Sequence, residues 1–247
     1  MTNPFSLVNK KILVTGASSG IGRSCAIELS NAGAEVVITG RNESRLKEVA
    51  QIANAKKSIV VDLCDDNGVS SLVQQVENVD GVVHAAGIIK PFPVSFVGAK
   101  HIREVQSINF NAPVELTSLL LRKRKINKNG SIVFISSISS SFPYKGGAIY
   151  TAFKAALETY SKVVALEYGE KGIRSNCIKA ALVNTKVLDE TINSLPPEIL
   201  EEHKKRYLLG FGEPDDVANA CIYFLSNASR WVTGTNLVLD GGLTAGA

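Results

Sequence analysis

Short β-branched runs alternate with helix-patterned segments from one end of the chain to the other, and this alternation limits the fold more than any other feature. The runs are KILVTG (11–16), EVVITG (35–40), SIVVDL (58–63), VDGVVHAAG (79–87), GSIVFIS (130–136), IRSNCIK (173–179) and NLVLDG (236–241). Between them lie segments with apolar residues three and four apart, such as GRSCAIELSNAG (22–33) and ESRLKEVAQIAN (43–54). A strand that is apolar on both faces must be covered on both faces, as in a parallel sheet flanked by helices. The expectation is an α/β, doubly wound sheet of about seven parallel strands with helices on both faces.

At 247 residues and 45% hydrophobic content, the chain can bury one sizeable core, so a single domain over 1–247 is expected. Residues 181–213 break the rhythm with SLPPEILEEHKKRYLLG (194–210), where Pro196 and Pro197 open a short helix. This stretch reads either as a substrate lid near strand carboxyl ends or as a plain helical insertion. A net charge of +4, mostly scattered, is too mild for a nucleic-acid footprint. Cys25, Cys64, Cys177 and Cys221 form no CxxC pair and read as reduced thiols of a cytosolic protein. The opening MTNPFSLVNKKILVTG lacks a signal-peptide core, and no apolar run reaches the ~18 residues of a membrane span. A cytoplasmic protein without membrane or metal is expected.

TGASSGIGR (15–23) follows the first strand and opens the first helix, the placement of a Rossmann nucleotide turn. Gly16, Gly20 and Gly22 permit a tight turn and close backbone approach, and the helix start would offer N–H groups to a pyrophosphate. The second strand ends in Gly40-Arg41, where NAD-binding chains usually carry an acidic residue for the ribose 2′-hydroxyl. A guanidinium there suits a 2′-phosphate instead, so the expected cofactor is NADP(H). Asp62 would hydrogen-bond an adenine amino group or cap a helix starting near Asp65 or Asp66. Gly87 would let the backbone pass close to the cofactor.

AIYTAFKAALETYSK (148–162) sets Tyr150 and Lys154 four apart, on one helix face. An ammonium beside a phenol favours the phenolate. Taken alone, the pair reads first as a core tyrosine and a solvated lysine.

With these motifs in order, the chain resembles the short-chain dehydrogenase/reductase family over nearly its full length, in its small single-domain branch. The resemblance rests on Thr15-Gly-x-x-x-Gly20-x-Gly22, Asp62, HAAG (84–87), Asn109, Ser137, Tyr150-x-x-x-Lys154 and LDGG (239–242). It implies Tyr150 as the general acid or base toward a ketone or secondary alcohol. Lys154 would lower the Tyr150 pKa and bond the nicotinamide ribose, Ser137 would donate to the substrate oxygen, and Asn109 would hold a proton-relay water. Ser137 stands 13 residues before Tyr150, the family's separation, among the neighbours Ser136, Ser139, Ser140 and Ser141. The implied cofactor set is Gly16, Ser18, Ser19, Gly20, Ile21, Gly22, Arg41, Asp62, Leu63, Ala85, Ala86, Gly87, Tyr150, Lys154, Val183 and Thr185.

Three departures stand out. Ala180 and Ala181 replace a Pro-Gly pair, which puts the local path beside the nicotinamide in question, while Ile178, Val183 and Thr185 still match carboxamide-end positions. Ala85 replaces an asparagine, which should remove one side-chain bond across the sheet. Ser18 and Ser19 offer no cation, leaving Arg41 to carry the phosphate preference.

LLLRKRKINKNG (119–130) gathers Arg122, Lys123, Arg124, Lys125 and Lys128. These cations complement a helix C-terminus; functionally, with Lys171 and Arg174, they would dock an acidic carrier protein. That fits a likeness to 3-oxoacyl-[acyl-carrier-protein] reductases, also visible in GEPDDVA (212–218). The helix from Ala148 has more than one apolar face, which together with the resemblance implies a homotetramer or homodimer. Phe92, Phe96, Phe142 and Tyr144 are candidate pocket residues or core. The alternatives are a non-catalytic NADP-binding sensor or scaffold, and an epimerase or dehydratase of a longer branch.

Overall fold

The structure is a computed structural model that describes residues 3–185 and 204–246. Seven parallel strands form one sheet in the order β3-β2-β1-β4-β5-β6-β7. They are β1 (Lys11–Thr15), β2 (Glu35–Gly40), β3 (Lys57–Val60), β4 (Val79–His84), β5 (Ile126–Ser137), β6 (Arg174–Ala180) and β7 (Asn236–Leu239). The chain adds β2 and β3 on one side of β1, then crosses to place β4 on the other. That reversal opens a crevice at the carboxyl ends of β1 and β4, where ligands bind in such sheets.

Helices α1 (Gly20–Asn31), α2 (Glu43–Ile52) and α7 (Pro214–Leu225) pack on one face. Helices α3 (Gly68–Gln75), α5 (Ala112–Arg122) and α6 (Ala148–Tyr168) cover the other, and α4 (Ala99–Gln106) leads into α5. Side-chain alternation along β1 divides the two cores: Ile12 and Val14 point to the α1 side and Leu13 to the α5 side, all fully buried. The expected fold is therefore the observed one.

Differences lie at element ends. β3 stops at Val60, so Asp62 and Leu63 lie beyond it. The following helix starts at Gly68 behind Asn67, so Asp62 caps no helix at Asp65 or Asp66. β5 begins four residues earlier than GSIVFIS, taking in Ile126–Asn129.

Two side chains of the expected basic patch turn inward. The Lys125 amine caps the end of α3 by donating to the carbonyls of Val73 and Val76. Arg174 is buried and donates to the Phe224 carbonyl (2.7 Å), the Ser226 carbonyl (3.3 Å) and the Ser229 hydroxyl (2.8 Å). It closes the C-terminus of α7, where a cation complements the unpaired carbonyls. Arg174 therefore belongs to no docking surface.

α1 and α7 are held side by side by the Ser24 hydroxyl on Asp215 (2.6 Å) and by the buried thiols of Cys25 and Cys221. All four cysteines are free. Among the described residues, no helix is long and apolar enough to cross a membrane. The 181–213 interval falls largely on residues 186–203, outside those described.

Candidate active site

The turn after β1 is built by steric exclusion. Gly16 has φ +67°, and a Cβ there would lie 2.7 Å from the backbone N and Cα of Ala86. A Cβ on Gly22 would run into the Gly16 carbonyl oxygen. The turn thus lies directly on the end of β4 and under the first turn of α1.

Ser19 precedes α1 in an extended conformation, and its side chain makes no cap hydrogen bond. Among the described residues, the backbone N–H groups of Ser18, Ser19 and Gly20 donate to no protein acceptor. Unpaired donors at a helix start, over a surface kept bare of Cβ atoms, fit the pyrophosphate of a dinucleotide. Ile21 packs partly buried against the core, and Thr185 covers Gly20, its methyl 3.3 Å from where a Cβ would stand.

The Ala85 side chain makes no bond across the sheet, as expected, but its backbone is tied to β1. The buried Thr15 hydroxyl accepts from the N–H groups of both Ala85 and Ala86, each at 3.2 Å. The strand through Ala180 is regular, paired with Ser137 and Leu239, and the Ala181 N–H donates to the Leu239 carbonyl at 2.9 Å. Ile178 is wholly buried in the α1-side core and exposes no surface to a cofactor. Val183 is buried beside it, bridged to Gly212.

Past β2, the Arg41 guanidinium pairs with Asp62 at 3.2 Å, with its side chain 67% exposed. The other Asp62 oxygen accepts from the Cys64 N–H at 2.9 Å. Leu63 is buried in the core, and Ser18 lies against Gly40, its hydroxyl 3.2 Å from where a Cβ would stand. The Arg41–Asp62 pair therefore borders the glycine turn.

The second half of the site rides on β4, β5 and α6. Tyr150 and Lys154 are both buried on α6, so neither is a solvated surface group. Lys154 Nζ donates to the Ile135 carbonyl of β5 at 2.8 Å and lies 5.5 Å from the Tyr150 ring centroid. Burial pulls the Lys154 amine down to about 8, against the opposing pull of Cys177 and Glu158.

Burial raises the Tyr150 phenol above its ordinary value, nearby Tyr144 adds to this, and a hydrogen bond with the Ser137 side chain works the other way. The Lys154 amine faces the ring and the Ile135 carbonyl, and burial is the largest influence on the phenol.

The serine cluster separates cleanly. Of these serines, Ser137 is the one whose side chain acts on the Tyr150 phenol; Ser136 donates to Glu158 at 2.6 Å, Ser140 to the Ser137 carbonyl at 2.8 Å, Ser141 accepts from Lys179 at 2.6 Å, and the buried Ser139 hydroxyl has no partner among the described residues. Asn109 lies in a π-helical turn, Ser107–Asn111, between α4 and α5. Its amide donates to the carbonyls of Ile88 and Val105, both at 3.0 Å, and its oxygen accepts from the Ile88 N–H at 3.3 Å. This clamps the loop after β4. A Cβ on Gly87 would come within 2.8 Å of that oxygen and 3.8 Å of Lys154 Nζ.

Phe92, Phe96, Phe142 and Tyr144 are exposed, not core. They sit on the loops after β4 and β5, which are joined by the Phe92 N–H on the Gly146 carbonyl at 2.8 Å. Glu158 was missed in the sequence, although Tyr150, Lys154 and Glu158 share one helical stripe at four-residue spacing.

A dinucleotide turn at the β1/β4 crossing, facing a buried tyrosine and lysine and a half-buried serine, defines a nucleotide-linked oxidoreductase of the α/β class. The sequence profile of the family described as Enoyl-(Acyl carrier protein) reductase matches residues 16–244. The chain belongs to the short-chain dehydrogenase/reductase family.

It is 34% identical to the L-rhamnose 1-dehydrogenase (NAD(P)(+)) of Azotobacter vinelandii, over 96% of this chain and 97% of that protein. It is 31% identical to the 3-oxoacyl-[acyl-carrier-protein] reductase of Rickettsia bellii, over 97% and 98%. Among solved structures, it resembles a gluconate 5-dehydrogenase from Burkholderia cenocepacia in complex with NADP and tartrate. The TM-score is 0.89 at 25% identity, covering 99% of this chain and 98% of that one.

Proposed function

We propose that the chain is a single-domain, NADP(H)-dependent reductase that interconverts a ketone and a secondary alcohol. The observation that carries this reading is the joint burial of Tyr150 and Lys154 on one face of α6, at the crevice floored by the glycine turn. The NADP bound by the structural relative supports the choice of cofactor, as does the guanidinium after β2. The unpaired N–H groups of the turn would hold the pyrophosphate, and Arg41, drawn partly from Asp62, the 2′-phosphate.

NADPH, when bound, supplies the hydride. Tyr150 keeps its proton at neutral pH because burial disfavours the phenolate, so it is ready to donate to a carbonyl oxygen as negative charge grows there. Ser137 donates to the same oxygen. Lys154 returns positive charge toward the phenol as it gives up its proton. Asn109 sets the loop that carries Gly87, and we assign it the relay water expected from the resemblance. The exposed aromatic residues of the β4 and β5 loops favour a ketone with an apolar body over a free polyol.

Tyr150→Phe tests the reading. Ketone reduction, followed by loss of nicotinamide absorbance over a substrate panel, should fall by roughly 10²–10⁴-fold, while NADPH still binds. Unchanged turnover would overturn the reading; a binding sensor would show no turnover in either form.

A further inference from the structure

The sequence motifs assign no role to two charged side chains buried behind the site. Glu158 on α6 and Lys179 on β6 form an ion pair at 3.4 Å, their side chains 10% and 8% exposed. Each also grips one end of the segment that carries Ser137. One Glu158 oxygen accepts from the Ser136 hydroxyl at 2.6 Å; the other faces Lys179 and accepts from the Asn236 amide of β7 at 3.0 Å. Lys179 donates to the Ser141 hydroxyl at 2.6 Å. In the sheet, Lys179 lies directly opposite Ser136.

We infer that Glu158 and Lys179 act as a charged bracket, a pair of positioning residues that hold the 136–141 segment at both ends and so set Ser137 against Tyr150. This rests on the function proposed above. A buried carboxylate and ammonium are costly to desolvate unless paired and hydrogen-bonded, and apolar residues of similar size often serve stability as well or better. Here each group directs one hydrogen bond to an end of the same six-residue segment, and Glu158 a second to β7.

The bracket also reaches the amine. Glu158 is one turn beyond Lys154 on α6, and the Ser136 hydroxyl contacts the Lys154 carbonyl at 3.4 Å. The groups facing Lys154 are Tyr150 and Glu158 from α6, Cys177 from β6, the Ile135 carbonyl from β5 and the Gly87 loop. Glu158 in turn faces Ser136, Lys154, Cys177, Lys179 and Asn236. Within this set, the Glu158 carboxylate favours the charged form of Lys154.

The test measures kcat, KM and the pH profile of kcat/KM for wild type, Glu158→Gln and Lys179→Met, with NADPH affinity determined separately. Lys179→Met should lower kcat by roughly 10- to 100-fold, the loss expected when a reacting group is misplaced by about an ångström. NADPH binding should be unchanged. Glu158→Gln should also move the alkaline limb of kcat/KM to lower pH, because Lys154 loses the carboxylate that supports its charge.

A Glu158→Gln limb that superimposes on wild type, or a Lys179→Met enzyme with full kcat, would overturn the inference. If Lys179→Met does not fold, Ser141→Ala takes its place: it releases one end of the bracket and strands no buried charge, and the same fall in kcat is required. Tyr150→Phe, run alongside, keeps the two readings apart. Its continued activity would refute the reductase mechanism, whereas a dead Tyr150→Phe beside an unaffected bracket would refute the bracket alone.

Discussion

At Arg41, the proposed preference for NADPH turns on one exposed side chain. Its partner Asp62 lies across solvent-facing space, so their 3.2 Å pair is screened and readily exchanged for a doubly charged phosphate. A charge-assisted bond of this kind contributes about 1.5–3 kcal/mol. Arg41→Ala should therefore weaken NADPH binding roughly tenfold or more and leave NADH nearly unaffected in a fluorescence titration. Equal losses for both cofactors would remove the preference argument. Arg41 was legible because its position is fixed by the end of a strand. The Ser136 bond to Glu158 was not, because its partners are brought together only by the packing of α6 on β5.

Among the elements, the π-helical turn at Ser107–Asn111 was the least visible in advance, since SINFNAP carries no residue preference separating π from α. Its extra residue presents Asn109 to the loop after β4. Asn109→Leu would strip a partner from the part-buried Ile88 N–H and carbonyl and from the buried Val105 carbonyl, costing ~1–3 kcal/mol. A lower melting temperature and a larger proportional loss of turnover are expected; a variant with normal values of both would show that the clamp is dispensable. Strands were legible because each is a β-branched run bounded by turn residues. Their ends were less so: β3 stops before Asp62, and Arg174, read from sequence as surface charge, is taken up in closing α7.

For the whole molecule, one buried ring makes stability depend on acid. His84, at the end of β4, stacks on Phe134 at 4.7 Å and shares a 2.9 Å hydrogen bond with Thr117. Burial pulls its pKa down to about 3, against 6.5 for the free side chain. The unfolded chain thus binds a proton first, and the stability held above pH 6.5 drains away as pH falls toward 3. The slope is up to ~1.4 kcal/mol per pH unit. Melting curves from pH 7 to 4 should show this decline, and His84→Gln should flatten it. Assembly is a second property at this scale. α6 leaves Leu166 82% exposed and Val163 42% exposed, and we propose that this face joins copies of the chain as a homotetramer or homodimer. Sedimentation should report a multiple of the 26.4 kDa chain mass, and Leu166→Glu should shift it toward the single chain.

Because all seven strands run the same way, the molecule has two unlike rims. A tether joined ahead of β1 would leave from the rim remote from the chemistry. One joined beyond β7 would emerge on the rim that carries the crevice, at the far edge of the sheet, where the Leu209 N–H meets the Gly241 carbonyl at 3.0 Å. Anchoring the protein to a bead by its leading end should keep the crevice open to solution, and anchoring it by the trailing end should obstruct it.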